Sequence, residues 1–144
     1  MGWTALDLQL TTSKMRSGDM GIQSLAAGFG PYMKNRLLLR SGGRVIFIEP
    51  HTVDWIEASD NYVVFHAGSE SHTVRMTMKV LETLLDPELF VRIHRSLIVN
   101  IERVRELRPL PHGDYTVILQ NATKLTLTRS YRDRVQKLLH AQLS

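Results

Sequence analysis

The stretch FVRIHRSLIVNIERV, residues 90–104, decides how the chain is read. Phe90, Val91, Ile93, Leu97, Ile98 and Val99 have the β-branched and aromatic character of buried strand. His94, Arg95 and Ser96 interrupt them with a hydrogen-bonding, partly cationic triplet. A short exposed loop or bulge between two buried half-strands accounts for both features. It projects Arg95 with a hydrogen-bonding neighbour on each side, and loops placed by a rigid sheet are where recognition usually sits. Two readings of the neighbours stay open: both meet a ligand with Arg95, or His94 packs beneath the loop and Ser96 caps a turn.

Outward from this stretch the pattern is mostly strand. LLLR, an SGG turn and RVIFIEP read as a hairpin that Pro50 stops. VDWIEAS and YVVFHA follow, separated by a polar Asp60–Asn61 turn, and HTVRM comes after GSES. The period then changes. Met78, Leu81, Leu84 and Leu85 lie at helical spacing, with Thr77 as N-cap and Asp86–Pro87 as the stop. Beyond the opening stretch come RVRELRPL, a Pro–His–Gly–Asp turn, YTVILQ, an Asn121–Ala122 turn and KLTLT. The chain closes with SYRDRVQKLLHAQL, where Ser130 and Asp133 have the form of a capping box. Tyr131, Val135, Leu138 and Leu139 make an apolar face there, with Arg132, Arg134 and Lys137 opposite. The expectation is a mainly β domain at 36–144, built from several small antiparallel sheets with one short internal helix and a C-terminal helix. Residues 1–35, with scattered glycines and no sustained period, read as a linker or N-terminal arm that need not be fully ordered.

Composition narrows the function. At 144 residues, 43% hydrophobic and 22% charged, the chain has the make-up of an ordinary globular domain. No apolar run reaches the roughly 20 residues of a membrane helix, and the N-terminus lacks the pattern of a secretory signal. Zero cysteines remove disulfides, thiolate metal sites and cysteine nucleophiles, and fit a cytoplasmic setting. The six histidines, His51, His66, His72, His94, His112 and His140, show no HExxH arrangement or helical pairing, and neither a GxSxG elbow nor a phosphate-binding GxxxxGK[ST] loop is present. No catalysis, metal or cofactor is expected.

A net charge of +4 and a pI near 9.7 favour an anionic partner only modestly. Arrangement says more. Arg75, Arg92, Arg95, Arg103, Arg105, Arg108, Arg129, Arg132 and Arg134 sit near segment ends. The planar guanidinium suits bidentate bonding to phosphate or guanine. Solvated charge that protects sheet edges is the alternative. Arg129, just before the expected helix start, adds a cation to free backbone N–H groups.

RIHRSLIVNIERV, preceded by DPELFV, closely resembles the most recognisable motif of the LytTR family of bacterial DNA-binding domains. IEPHTVDWIEASDNYVVFH, TMKVLETLLDPELFVRIHRS and LTLTRSYRDRVQKLL are similar to further family blocks, in order and spacing, across about residues 37–140. The resemblance implies a sequence-specific, double-stranded DNA-binding transcription regulator, related to response regulators, that reads successive major grooves through loops. Its partners would be imperfect direct repeats of DNA, with a homodimer on DNA as an allowed arrangement and no membrane. By position, the implied contacts are Asp60, Asn61 and Tyr62; His94, Arg95 and Ser96; and Arg129 with Tyr131 and Arg132. The residues ahead of the domain are too few for a receiver. The rivals are a β-rich protein-interaction or ligand-sensing module without DNA binding, and an RNA binder using Tyr62, Tyr115 and Tyr131 as exposed rings.

Overall fold

The computed structural model describes residues 36–140 and Leu143. The expected arm at 1–35 lies outside the described residues. The first hairpin pairs β1 (Leu37–Ser41) with β2 (Arg44–Ile48). A central five-stranded antiparallel sheet contains β3 (Trp55–Ser59), β4 (Tyr62–Ala67), β5 (Glu70–Arg75), β6 (Phe90–His94) and β7 (Leu97–Asn100), in the order β5-β4-β3-β7-β6. Helix α1 (Met78–Leu84) leads from β5 to β6. A third sheet, β8 (Val104–Pro109), β9 (Tyr115–Leu119) and β10 (Lys124–Leu127), has β9 in the middle, and α2 (Arg132–Leu139) follows. This is the mainly β architecture of small antiparallel sheets that the sequence suggested.

The β6–β7 pair of the central sheet is buried on both faces, which explains why those two strands read as nearly continuous apolar runs. Phe90 and Ile98 pack into one core with Ile56, Val63, Phe65, Val74, the β1–β2 hairpin and Leu81 of α1. Val91, Ile93 and Val99 point the other way. They meet Tyr115, Val117, Leu119, Leu125 and Leu127 of the third sheet and Val135 of α2. The alternation along β6 and β7 thus divides one strand pair between two cores, as the two-residue side-chain period requires. Tyr115 is only 5% exposed, so it is core and offers no ring to an unpaired base.

Asn100 is the buried polar pin of this layer, with no exposed surface. Its Nδ2 donates to the Val53 carbonyl at 2.8 Å, and its Oδ1 accepts the Glu102 N–H at 2.9 Å. The side chain therefore satisfies two backbone groups where the chain leaves β7 for a 3₁₀ turn.

Thr77 caps α1 as expected, its hydroxyl accepting the Val80 N–H at 3.2 Å. The entry to α2 is different. No capping box forms at Ser130 and Asp133: a 3₁₀ turn covers Arg129–Tyr131, α2 starts at Arg132, and the residue at its N-cap is Tyr131, which makes no side-chain cap. The Ser130 hydroxyl faces the Thr128 hydroxyl at 3.4 Å, while Asp133 accepts from Gln136 at 3.3 Å. The tight exit from β10 takes up the residues that the capping box would need. Of the expected apolar face of α2, Val135 is buried and Tyr131 and Leu138 are half-buried, but Leu139 is 40% exposed. Among the described residues no helix is long and apolar enough to cross a membrane.

Candidate nucleic-acid interface

The antiparallel order brings three connections to one end of the central sheet. Ser59 pairs with Tyr62, so Asp60–Asn61 is a two-residue turn, with Asp60 in the left-handed region at φ 55°. Aspartate is among the few side chains that tolerate that conformation. Leu97 pairs with Glu57, and the Ala58 N–H donates to the Ser96 carbonyl at 2.9 Å, so the Arg95–Ser96 turn sits beside the first turn. On the outer edge of β6, the Thr128 N–H donates to the Ile93 carbonyl at 2.9 Å. That bond places Arg129 next in the row. With strands about 4.8 Å apart, the two turns are roughly 10 Å from each other and Arg129 roughly 7 Å further on.

The motif triplet is a hairpin turn with a register shift between Arg92 and His94. His94 braces it from below. Its Nδ1 accepts the Ser96 N–H at 3.1 Å and lies 3.0 Å from the Ser96 hydroxyl. A backbone N–H only donates, so the ring proton belongs on Nε2. Arg92 braces the turn from the side: Nη2 donates to the Arg95 carbonyl and Nε to the His94 carbonyl at 3.3 Å. Arg92 is thereby removed from the candidate phosphate contacts, since its side chain is only 17% exposed and its donors are occupied. Arg95 itself is exposed.

Arg129 is held by the turn between β8 and β9. Its N–H donates to Asp114 Oδ1 at 2.9 Å, and its aliphatic stem lies over Gly113. His112, Asp114, Thr128, Arg129 and Ser130 line a shallow depression here. Arg132 is partly buried, with an Nε that has no hydrogen-bond partner. Tyr131 is half-buried beneath two guanidinium groups, Arg134 at 4.9 Å and Arg92 at 5.6 Å from the ring centroid. It supports arginines here and leaves little of its face for a ligand.

Pairing separates the arginines. Arg92 and Arg134 share Glu82, at 3.0 and 2.9 Å. Arg103 faces Asp54 at 3.6 Å; Arg105 and Arg108 face Glu106 at 3.8 and 2.8 Å. The hydrogen bond from Arg108 holds the Glu106 carboxyl below its ordinary value and in return raises Arg108. Arg75, Arg95, Arg129 and Arg132 have no acidic partner among the described residues. Arg75 pairs in register with Tyr62, which puts it at the same end of the sheet. Sequence reasoning did not single it out as a contact, because only the β4–β5 register reveals its position. Among the described residues no three His, Asp or Glu side chains are grouped to hold a metal ion.

Short turns that present unpaired arginines from the end of a packed sheet have the charge that an anionic partner requires. The chain belongs to the family described as the LytTr DNA-binding domain, whose match spans residues 43–140. It is similar to the sensory transduction protein LytT of Bacillus subtilis, 29% identical over 107 residues, 74% of this chain and 44% of that protein. It is also similar to the transcriptional regulatory protein LytR of Staphylococcus aureus, 25% identical over 88 residues, 61% of this chain and 36% of that protein. The chain therefore spans less than half the length of these relatives. Among solved structures, it resembles a LytTr DNA-binding domain from a methyl-accepting/DNA response regulator of Bacillus cereus. The TM-score is 0.64 at 26% identity, covering 73% of this chain and 96% of that one.

Proposed function

We propose that the chain is a cytoplasmic, sequence-specific duplex-DNA-binding module of a transcription regulator, reading successive major grooves through its loops. The observation that carries this reading is the sorting of the arginines from Arg75 onward: those lacking acidic partners lie at or beside one edge, and those on the third sheet and just before it are paired with carboxylates. A sheet edge charged only for solubility would have no reason to be sorted in this way.

Arg95 and Arg129 are the base-contacting candidates, because each leaves a rigid turn with its guanidinium uncommitted. A bidentate arginine–guanine contact contributes about 1–3 kcal/mol of discrimination. Asn61 and Tyr62 are exposed at the neighbouring turn. Asn61 suits an adenine edge, and Tyr62 a phosphate or a thymine methyl. Asp60 would be repelled by phosphate, so a contact from it would go to a cytosine amino group. His94 and Ser96 act chiefly on the shape of the turn. Arg75 and Arg132, with the exposed part of Arg134, are placed for phosphates. The row is roughly 17 Å from the first turn to Arg129, about half the ~34–36 Å that separates successive major grooves on one face of a duplex. Side chains extending from both ends of the row, and a second copy on an imperfect direct repeat, carry the contacts into successive grooves.

The test is titration of a duplex selected from a random pool, and of a scrambled duplex, across a salt series. Three phosphate contacts predict a log–log salt slope of about −3. Absence of duplex binding at low salt would refute the proposal.

A further inference from the structure

We infer that Arg92 and Glu82 are positioning residues for recognition, together holding the Arg95–Ser96 turn in the shape that presents Arg95; this rests on the DNA-binding reading. Arg92 comes from β6 and spends its planar fork on three acceptors. Nη2 and Nε take the Arg95 and His94 carbonyls, and Nη1 takes Glu82 Oε1 at 3.0 Å. With both turn carbonyls drawn toward the Arg92 guanidinium, the Arg95 side chain is directed outward.

Glu82 belongs to α1, an element that supplies none of the candidate contact residues. Its second oxygen accepts from Arg134 of α2 at 2.9 Å, so one carboxylate links the helix before β6, the loop brace and the last helix. The Tyr131 ring lies against both guanidinium groups. Lysine is not equivalent at position 92. A single ammonium lacks the fixed fork needed to meet two carbonyls and a carboxylate together.

The experiment compares the full chain with Arg92→Lys, Glu82→Gln and Arg103→Lys. Arg103 donates to the His51 carbonyl at 2.7 Å and faces Asp54, a brace of similar kind away from the recognition edge. The readout is the affinity ratio between selected and scrambled duplexes, with melting temperature beside it. Arg92→Lys should lower the ratio about tenfold, the lower-middle range of one lost bidentate contact. Its affinity for scrambled DNA should change no more than that of Arg103→Lys. Glu82→Gln should move the ratio in the same direction by less. If Arg92→Lys and Glu82→Gln lower the melting temperature yet leave the ratio as Arg103→Lys leaves it, Arg92 is a packing residue and the inference fails.

Amide hydrogen exchange in the DNA-free chain gives an independent arm. The Ser96 N–H, bonded to His94 Nδ1, should exchange about tenfold faster in Arg92→Lys. A wild-type chain that does not discriminate between duplexes refutes the DNA reading. Unchanged Ser96 exchange refutes the brace itself.

Discussion

Replacing Gly113 by alanine tests how Arg129 is aimed without altering Arg129. Gly113 has φ +90°, and a Cβ built on it would lie 2.9 Å from Arg129 Cδ and 3.3 Å from Cγ. Those atoms belong to a flexible side chain, so Arg129 is the group that must move. The left-handed backbone itself costs alanine about 1–2 kcal/mol. For a domain of this size that lowers the melting temperature by roughly 4–16 °C and leaves a chain of ordinary stability folded. Gly68, at φ +62° with nothing within 4 Å of its Cβ position, supplies the control, because alanine there carries similar backbone strain without a contact. Fluorescence anisotropy with selected and scrambled duplexes reads the outcome. Gly68→Ala should keep the preference. Gly113→Ala should lose about fivefold to 150-fold of it, the span that about 1–3 kcal/mol represents. The double variant with Arg129→Ala should lose little more than Arg129→Ala alone, as expected for two changes acting through one group. Equal preference in Gly113→Ala and Gly68→Ala would show that the β8–β9 turn does not aim Arg129.

Other expectations are simpler. Arg95→Ala and Arg129→Ala should flatten the ranking of duplexes in a selection from random DNA, whereas Arg134→Ala should weaken all duplexes alike and make the salt slope shallower by about one. Asn100→Ala leaves the Val53 carbonyl and the Glu102 N–H without their partners, and at about 1–3 kcal/mol each should cost about 2–6 kcal/mol in urea denaturation at an unchanged m-value. His94→Ala removes the acceptor under Ser96 and should reduce preference. His94→Asn, whose Oδ1 can accept the same N–H in an Asx turn, should restore most of it; equal loss in both variants would mean that the imidazole touches DNA.

Much of this architecture is legible in the chain because it depends on local period. The alternation in YVVFHA, the i, i+3 spacing of Met78 and Leu81 with Thr77 ahead, and the break at His94–Arg95–Ser96 each follow from residues within a few positions of one another. The network behind the break does not. Glu82 and Arg134 are 52 residues apart, and their meeting is decided by where α1 and α2 pack. The phosphate role first open to Arg92 fails for the same reason, since position near a segment end does not reveal that backbone carbonyls already take its donors. The capping box at Ser130 was a local pattern overruled by a tertiary bond, as Thr128 attaches to Ile93 and the chain turns too tightly for a cap.

The ladder spacing of the central sheet also acts as a ruler. Its turns at 60–61 and 95–96, the proposed contact points, are separated by two strand intervals, roughly 10 Å, and bases along one DNA strand repeat every ~3.4 Å. If the row lies along a groove, the turns fall about three base pairs apart, and backbone hydrogen bonds prevent that separation from adjusting to the DNA. Preferred bases should then occur in short clusters with indifferent positions between them. Inserting one base pair between clusters should be more damaging than changing a base within the gap.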